Sequence, residues 1–208
     1  HIYKREPSFP IAVACDPAFN FVYEANIRYL HHLGEVTYFS PLADTSLPDV
    51  GFVYLPGGYP ELYLAALSAN RQMLQSIRRY VESGGKLLAE CGGMMYLCDE
   101  IRDKNGDVYP MAGVLHQSAT MENMKLRLGY RTLLYNETRL KGHEFHYSRL
   151  VEQQNPLPSC AVAYTAKGVE TDTPLYHYKN VWAGYTHLYW ADPVGNEWFT
   201  KFVIDGNT

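Results

Sequence analysis

The 208-residue sequence predicts an α/β fold built on a central, mostly parallel sheet flanked by helices. Three observations lead there. Short apolar runs alternate with helically spaced segments through the first half; two of those runs end in Gly-Gly turns that open onto a helix; and no Gly/Ser-rich or Pro-rich linker divides the chain. Strands separated by helices imply crossover connections and parallel pairing.

Each element of the first half can be justified in order. Phe9–Asp16 is a short apolar run suited to a strand buried on both faces. Over Asn20–Leu33, the residues Val22, Ala25, Tyr29, Leu30 and Leu33 recur at helical spacing, and Gly34 follows as a stop. Glu35–Pro41 and Gly51–Leu55 read as strands, the second running into Pro56-Gly57-Gly58. Glu61–Ser83 carries a helical pattern with a break near Asn70 and ends at Gly84-Gly85. Lys86–Glu90 is a further strand, followed at once by Cys91-Gly92-Gly93 and a helix through Cys98.

The second half changes character. Residues 101–186 are richer in Tyr, Thr and turn pairs such as Asn105-Gly106 and Lys167-Gly168. They read as strands in hairpins over 129–135, 143–151, 161–166, 174–178 and 181–186, with a final helix over 195–204. The expectation is one domain over residues 1–208, structured from about residue 9 to 205, with an antiparallel extension in the second half.

Composition narrows the function. At 47% apolar and 19% charged residues the chain is an ordinary globular one. A net charge of −4 without a basic block argues against nucleic acid or an anionic membrane as partner. No stretch approaches the roughly 18–20 apolar residues of a membrane helix. The opening, HIYKREPSFP, lacks both the apolar core of a secretory signal and an initiator Met, as a fragment or trimmed chain would. Four scattered Cys make no disulfide scaffold, so the cytoplasm is the expected compartment.

The segment GGKLLAECGGMMYL carries the most chemistry. An apolar strand ends in a Cys, then two glycines, then a helix, which is the strand–turn–helix order of a nucleophile elbow with Cys91 in the nucleophile position. The sharp turn exposes the thiol at the carboxyl end of the sheet, and the Gly92 N–H can help hold a developing oxyanion. A buried Cys at a strand end is the plain alternative. Among eight His, His187 stands out because it ends the apolar run 181–186, placing it where open α/β sheets gather ligand groups. A hydrogen-bonded structural His is nearly as good a reading.

Leu55-Pro56-Gly57-Gly58-Tyr59-Pro60-Glu61 can supply further backbone N–H groups from Gly57 and Gly58, or can be a plain βα turn. Gly142-His143-Glu144-Phe145-His146-Tyr147-Ser148 invites a zinc reading, but the metalloprotease pattern places two residues between Glu and the second His, on a helix. Here there is one, in a strand setting, so no metal site is expected. On a strand Glu144 and His146 share one face and His143 and Phe145 the other, which suits a polar pair lining a cleft or a domain contact. Arg127 and Arg131 can pair with a substrate carboxylate or simply be surface arginines.

Taken together, LPGGYPEL, LLAECGGMMYL, KGHEFHYS and GYTHLYW resemble the class I type glutamine amidotransferase domain of the cobyrinic acid a,c-diamide synthase family. The resemblance runs from about Phe9 to the final helix. It implies a flavodoxin-like amidotransferase fold and glutamine hydrolysis, with Cys91 as nucleophile and His187 as base. It implies no cofactor in this domain. Ammonia would pass to an amino-terminal synthetase domain of the same polypeptide, absent from this chain, which uses ATP and Mg²⁺ to activate the a and c carboxylates of a corrinoid substrate. The resemblance also leaves open another acceptor (nickel-sirohydrochlorin, cobyric acid or a cell-wall precursor) and a degenerate domain kept for docking. One departure matters: class I amidotransferases end their triad in His-x-Glu, and here His187 is followed by Leu188 and Tyr189. A backbone carbonyl or another side chain, Tyr189 first among them, must then orient the imidazole.

Overall fold

A computed structural model describes residues 9–206; the opening segment, His1 included, lies outside the described residues. In chain order, β1 (Phe9–Ala14) leads through a loop to α1 (Glu24–Leu33), which runs straight into β2 (Gly34–Phe39), and β3 (Phe52–Leu55) follows. A single 3₁₀ turn over Pro60–Leu62 precedes α2 (Leu64–Ala69) and α3 (Arg71–Glu82). The expected break falls at Asn70, whose side chain accepts from the Met73 amide and donates to the carbonyls of Pro41 and Asp44. Capping the new helix while tying down a neighbouring loop makes two helices better than one. Met73, Leu74, Ile77 and Val81 then form the buried stripe of α3.

Strand β4 (Lys86–Glu90) ends at Cys91, and α4 (Gly92–Leu97) starts on the next residue. The helix does not continue through Cys98 as its sequence suggested. Cys98 opens β5 (Cys98–Arg102), which pairs with β6 (Val108–Pro110) and β7 (Leu115–Thr120), so tertiary strand pairing overrides the local pattern. Next come β8 (Arg127–Tyr135), β9 (Thr138–His146), β10 (Arg149–Leu150), β11 (Val162–Thr165), β12 (Glu170–Thr171), β13 (Leu175–Tyr178), β14 (Val181–Gly184) and β15 (His187–Leu188). Helix α5 (Pro193–Trp198) is capped by Asp192 and widens into a π-helical turn over Phe199–Ile204.

The central sheet has the order β13-β14-β4-β3-β1-β2, parallel throughout except for β13. Its strands alternate sides: Ile11, Val13, Tyr54 and Leu88 pack with three buried tryptophans and Phe199, while Ala12, Leu55, Leu87 and Ala89 pack beneath α2, α3 and α4. The extension is two further sheets: β10-β7-β5-β6 is mixed, with β5 and β7 parallel, whereas β12-β11-β8-β9-β15 is antiparallel as expected. Only β15 of the last brings His187 back to the carboxyl ends of β3 and β4, where an open parallel sheet collects its ligands. Among the described residues no helix is long and apolar enough to cross a membrane.

Candidate active site

Cys91 sits in a left-handed backbone conformation (φ 53°, ψ −108°), which a residue with a β-carbon adopts at a strain of about 1–3 kcal/mol. Its amide donates to the Gly184 carbonyl of β14 at 2.8 Å, and the Met95 amide donates back to its carbonyl at 3.0 Å, fixing strand end and helix start together. The side chain faces a cavity of about 240 Å³, below the roughly 300–1,000 Å³ of drug-sized pockets and suited to an amino-acid-sized ligand. The thiol is 4% exposed and donates to the Phe145 carbonyl at 3.5 Å. Burial is the first cause that raises its pKa, and the neighbouring Glu61, Glu144 and Glu90 add to it, so at rest Cys91 is a neutral thiol.

His187 lines the same cavity, with Phe21 and Tyr59 on one side and His143 and Phe145 of β9 on the other. It does not end the apolar strand, as the sequence suggested. Strand β14 stops at Gly184, whose carbonyl is taken by the Cys91 amide, and the chain crosses to the neighbouring sheet, where His187 pairs with His143. Phe21 packs edge-on against the imidazole at 4.4 Å between centroids. Burial, then the charges of His143 and His146, lower the His187 pKa to about 3, which leaves the ring neutral. Its Nδ1 is buried and has no hydrogen-bond partner among the described residues. Tyr189 is not that partner: its ring packs on Tyr23 and its amide donates to the Lys141 carbonyl.

Gly57 and Gly58 both reach the site, but for different reasons. A β-carbon on Gly57 would stand 2.2 Å from Cε1 of His187, so the glycine makes room for the imidazole. Gly58 holds φ +153° and presses against the Ala18 carbonyl, 2.2 Å from where its β-carbon would be. A β-carbon on Gly92 would lie 3.3 Å from the Gly58 nitrogen, which brings the two glycine turns side by side next to Cys91.

Strand β9 separates this cavity from a larger one of about 600 Å³ that holds Glu144 and His146 but neither Cys91 nor His187. The alternation expected for a strand is therefore met. Glu144 is buried and accepts from Arg131 (2.9 Å), Arg127 (3.2 Å), Thr173 (2.9 Å) and His146 (3.1 Å). Burial alone would raise its pKa, but His146, Arg127 and Thr173 outweigh it and hold the carboxyl at about 2. His146 stacks on Tyr185 at 3.6 Å and faces the Ser148 carbonyl with Nδ1. Arg131 is buried against Glu144, and Arg127, which lines the larger cavity, is shared between Glu144 and Asp172.

Glu90 was the residue passed over in the sequence. It precedes Cys91, is 2% exposed, and accepts from the Tyr54 hydroxyl at 2.5 Å and the Leu188 amide at 2.9 Å. Burial raises its pKa to about 7 against the opposing effect of those hydrogen bonds. The signal was present: a carboxylate closing the apolar strand KLLAE is a misfit that asks for buried partners.

The profile of the CobB/CobQ-like glutamine amidotransferase domain matches residues 10–194. The chain is 40% identical over 185 residues to hydrogenobyrinate a,c-diamide synthase of Pseudomonas aeruginosa, covering 86% of this chain and 41% of that one. It is 40% identical over 188 residues to cobyrinate a,c-diamide synthase of Fusobacterium nucleatum, again with 86% and 41% covered, and 38% identical over 212 residues to that of Clostridium acetobutylicum, with 97% and 46% covered. The chain thus spans less than half the length of these curated relatives. Among solved structures, PurLQS from Thermotoga maritima superposes with a TM-score of 0.58 at 18% identity over 86% of this chain and 87% of that one. A glutamine amidotransferase does so with a TM-score of 0.58 at 16% identity, over 93% and 98%. At such identities the likeness is one of fold, and the fold is that of the class I glutamine amidotransferases.

Proposed function

The chain belongs to the CobB/CobQ-like glutamine amidotransferase family, and on that premise we propose that it hydrolyses glutamine at Cys91 and His187 and supplies ammonia for ATP-dependent amidation of the a and c carboxylates of a cobyrinic acid-type corrinoid. The single observation that carries the reading is the meeting, in one small cavity, of a thiol on a left-handed elbow with an imidazole from another sheet. The names of the relatives support the acceptor.

The thiol sulfur attacks the side-chain amide carbon of glutamine as His187 takes the thiol proton. The oxyanion that forms lies towards the adjoining turns of Gly92 and Gly57-Gly58, where each well-placed N–H donor is worth about 3–4 kcal/mol. The C–N bond breaks, His187 returns the proton to the leaving ammonia, and water then cleaves the thioester to glutamate and the free thiol. Glu144 and His146 support β9 from behind, while the other face of that strand carries His143 and Phe145 into the cavity.

On this reading an ATP- and Mg²⁺-using synthetase domain lies outside the matched region, which spans 41% of the Pseudomonas aeruginosa relative. All four cysteines are free, as suits the cytoplasm. The test uses the full-length enzyme. Cys91→Ser and His187→Ala should each abolish glutamine-dependent amidation while leaving ammonia-dependent amidation largely intact. Equal loss of both activities would show the two residues to be structural.

A further inference from the structure

Strand β15 is the outer strand of its sheet, paired only with β9. Along it, alternate amides point to opposite edges. The Tyr189 amide donates inward to the Lys141 carbonyl of β9, so the buried Leu188 amide points the other way, where there is no strand. A buried amide without an acceptor is destabilising. Side chains take the place of the missing neighbour: Asn26 donates to the Leu188 carbonyl at 2.9 Å and accepts from the Trp190 amide at 3.1 Å, and Glu90 accepts from the Leu188 amide at 2.9 Å.

Of these two substitutes, only Glu90 is bonded directly to the nucleophile. Its other oxygen accepts from Tyr54 of β3, so the carboxylate is held from two sides and cannot turn without giving up a partner. The hydrogen bond to Leu188 also joins the central sheet, which carries Cys91, to the sheet that carries His187. The imidazole has no partner of its own on Nδ1 among the described residues, and its position depends on the backbone that bears it. Resting on the reading of Cys91 and His187 given above, we propose that Glu90 is the positioning residue of the reaction: through the Leu188 amide it holds the strand of His187 in place over Cys91. It acts on the backbone beside the base and never on the imidazole.

The test compares Glu90→Gln with Glu90→Leu in the full-length enzyme, with Cys91→Ser beside them. Glutamine at this position keeps an oxygen for the Leu188 amide, and the Tyr54 hydroxyl can turn to accept from the new NH₂; leucine removes the acceptor. The Gln variant should keep kcat for glutamine within about threefold, whereas the Leu variant should lose roughly 30-fold in kcat with KM for glutamine nearly unchanged, the signature of a misplaced base. Ammonia-dependent amidation should stay the same in both. Should Glu90→Leu fail to fold, Tyr54→Phe, which frees one side of the carboxylate, should lower kcat several-fold with KM unchanged. Retention of kcat by the Leu variant with only a lower Tm, equal inactivity of the Gln and Leu variants, or an unchanged kcat in Tyr54→Phe would overturn the inference. Retention of glutaminase activity by Cys91→Ser would overturn the underlying reading instead.

Discussion

Gly57 and His187 touch so closely that no side chain fits between them: a methyl group on Gly57 would stand 2.2 Å from Cε1 of the imidazole and 3.0 Å from Nδ1. Gly57→Ala should therefore push the ring away from Cys91. A displacement near 1 Å is worth about 10²-fold in rate, so kcat for glutamine should fall by about 10- to 100-fold, with a small change in Tm. An unchanged kcat would mean that the imidazole position is not set by this contact.

Thiol labelling should depend on the reagent. Cys15 is exposed whereas Cys91 is buried and neutral, so a general alkylating agent such as iodoacetamide should reach Cys15 first. A glutamine-like diazo-ketone, drawn into the cavity by its amino-acid part, should instead label Cys91 ahead of Cys15, Cys98 and Cys160. Peptide mapping decides; even labelling, or label chiefly on Cys98, contradicts the assignment.

Two buried carboxylates should give stability opposite slopes with pH. Glu144 has its pKa depressed from 4.5 to about 2, so its contribution is present above pH 4.5 and is lost as pH falls towards 2. Glu90 has its pKa raised from 4.5 to about 7, so the folded state holds its proton more tightly and loses stability as pH rises from 4.5 to 7. Each shift amounts to about 3 kcal/mol. Urea unfolding should show Glu144→Gln strongly destabilised at pH 7 and much less so near pH 2. Glu90→Gln should gain on the native protein between pH 5 and pH 8. Parallel curves for native protein and variants would refute both assignments.

The 208-residue chain alone should turn glutamine over slowly. The thiol is spent on the Phe145 carbonyl and the imidazole lacks a carboxylate partner among the described residues, so neither half of the pair is charged at rest. Adding the synthetase region, with ATP and the corrinoid, should raise turnover substantially by ordering the cavity. Because the His187 pKa is lowered to about 3, the pH profile of kcat/KM for glutamine should lack an acid limb near 6.5. Fast constitutive turnover by this chain alone would contradict the account.

Strands β3 and β4 were legible because each is a buried, largely apolar run closed by a glycine turn or a helix start. The elbow at Cys91 followed from the same logic. Strand β15 was not legible, since two residues cannot show a period, and so His187 was assigned to the end of β14 although it belongs to the next sheet. Tyr189 packs on Tyr23, whose hydroxyl donates to the His187 carbonyl, a link across the fold that no local pattern shows. Glu144 and His146 were correctly placed on one face of a strand, yet their partners Arg131 and Thr173 lie on strand β8 and on the turn before β13, and no local pattern links them.

The Phe145 carbonyl and the burial of Cys91 also bear on how the protein ages in air. Peroxide attacks thiolates, and its reach falls with burial. A thiol that is 4% exposed and kept protonated by its surroundings offers little thiolate to oxidise. The first sulfenic acid should then form on the exposed Cys15, far along the chain from the elbow, and the Cys91 sulfur should outlast it. The same burial that slows the resting thiol preserves it between turnovers.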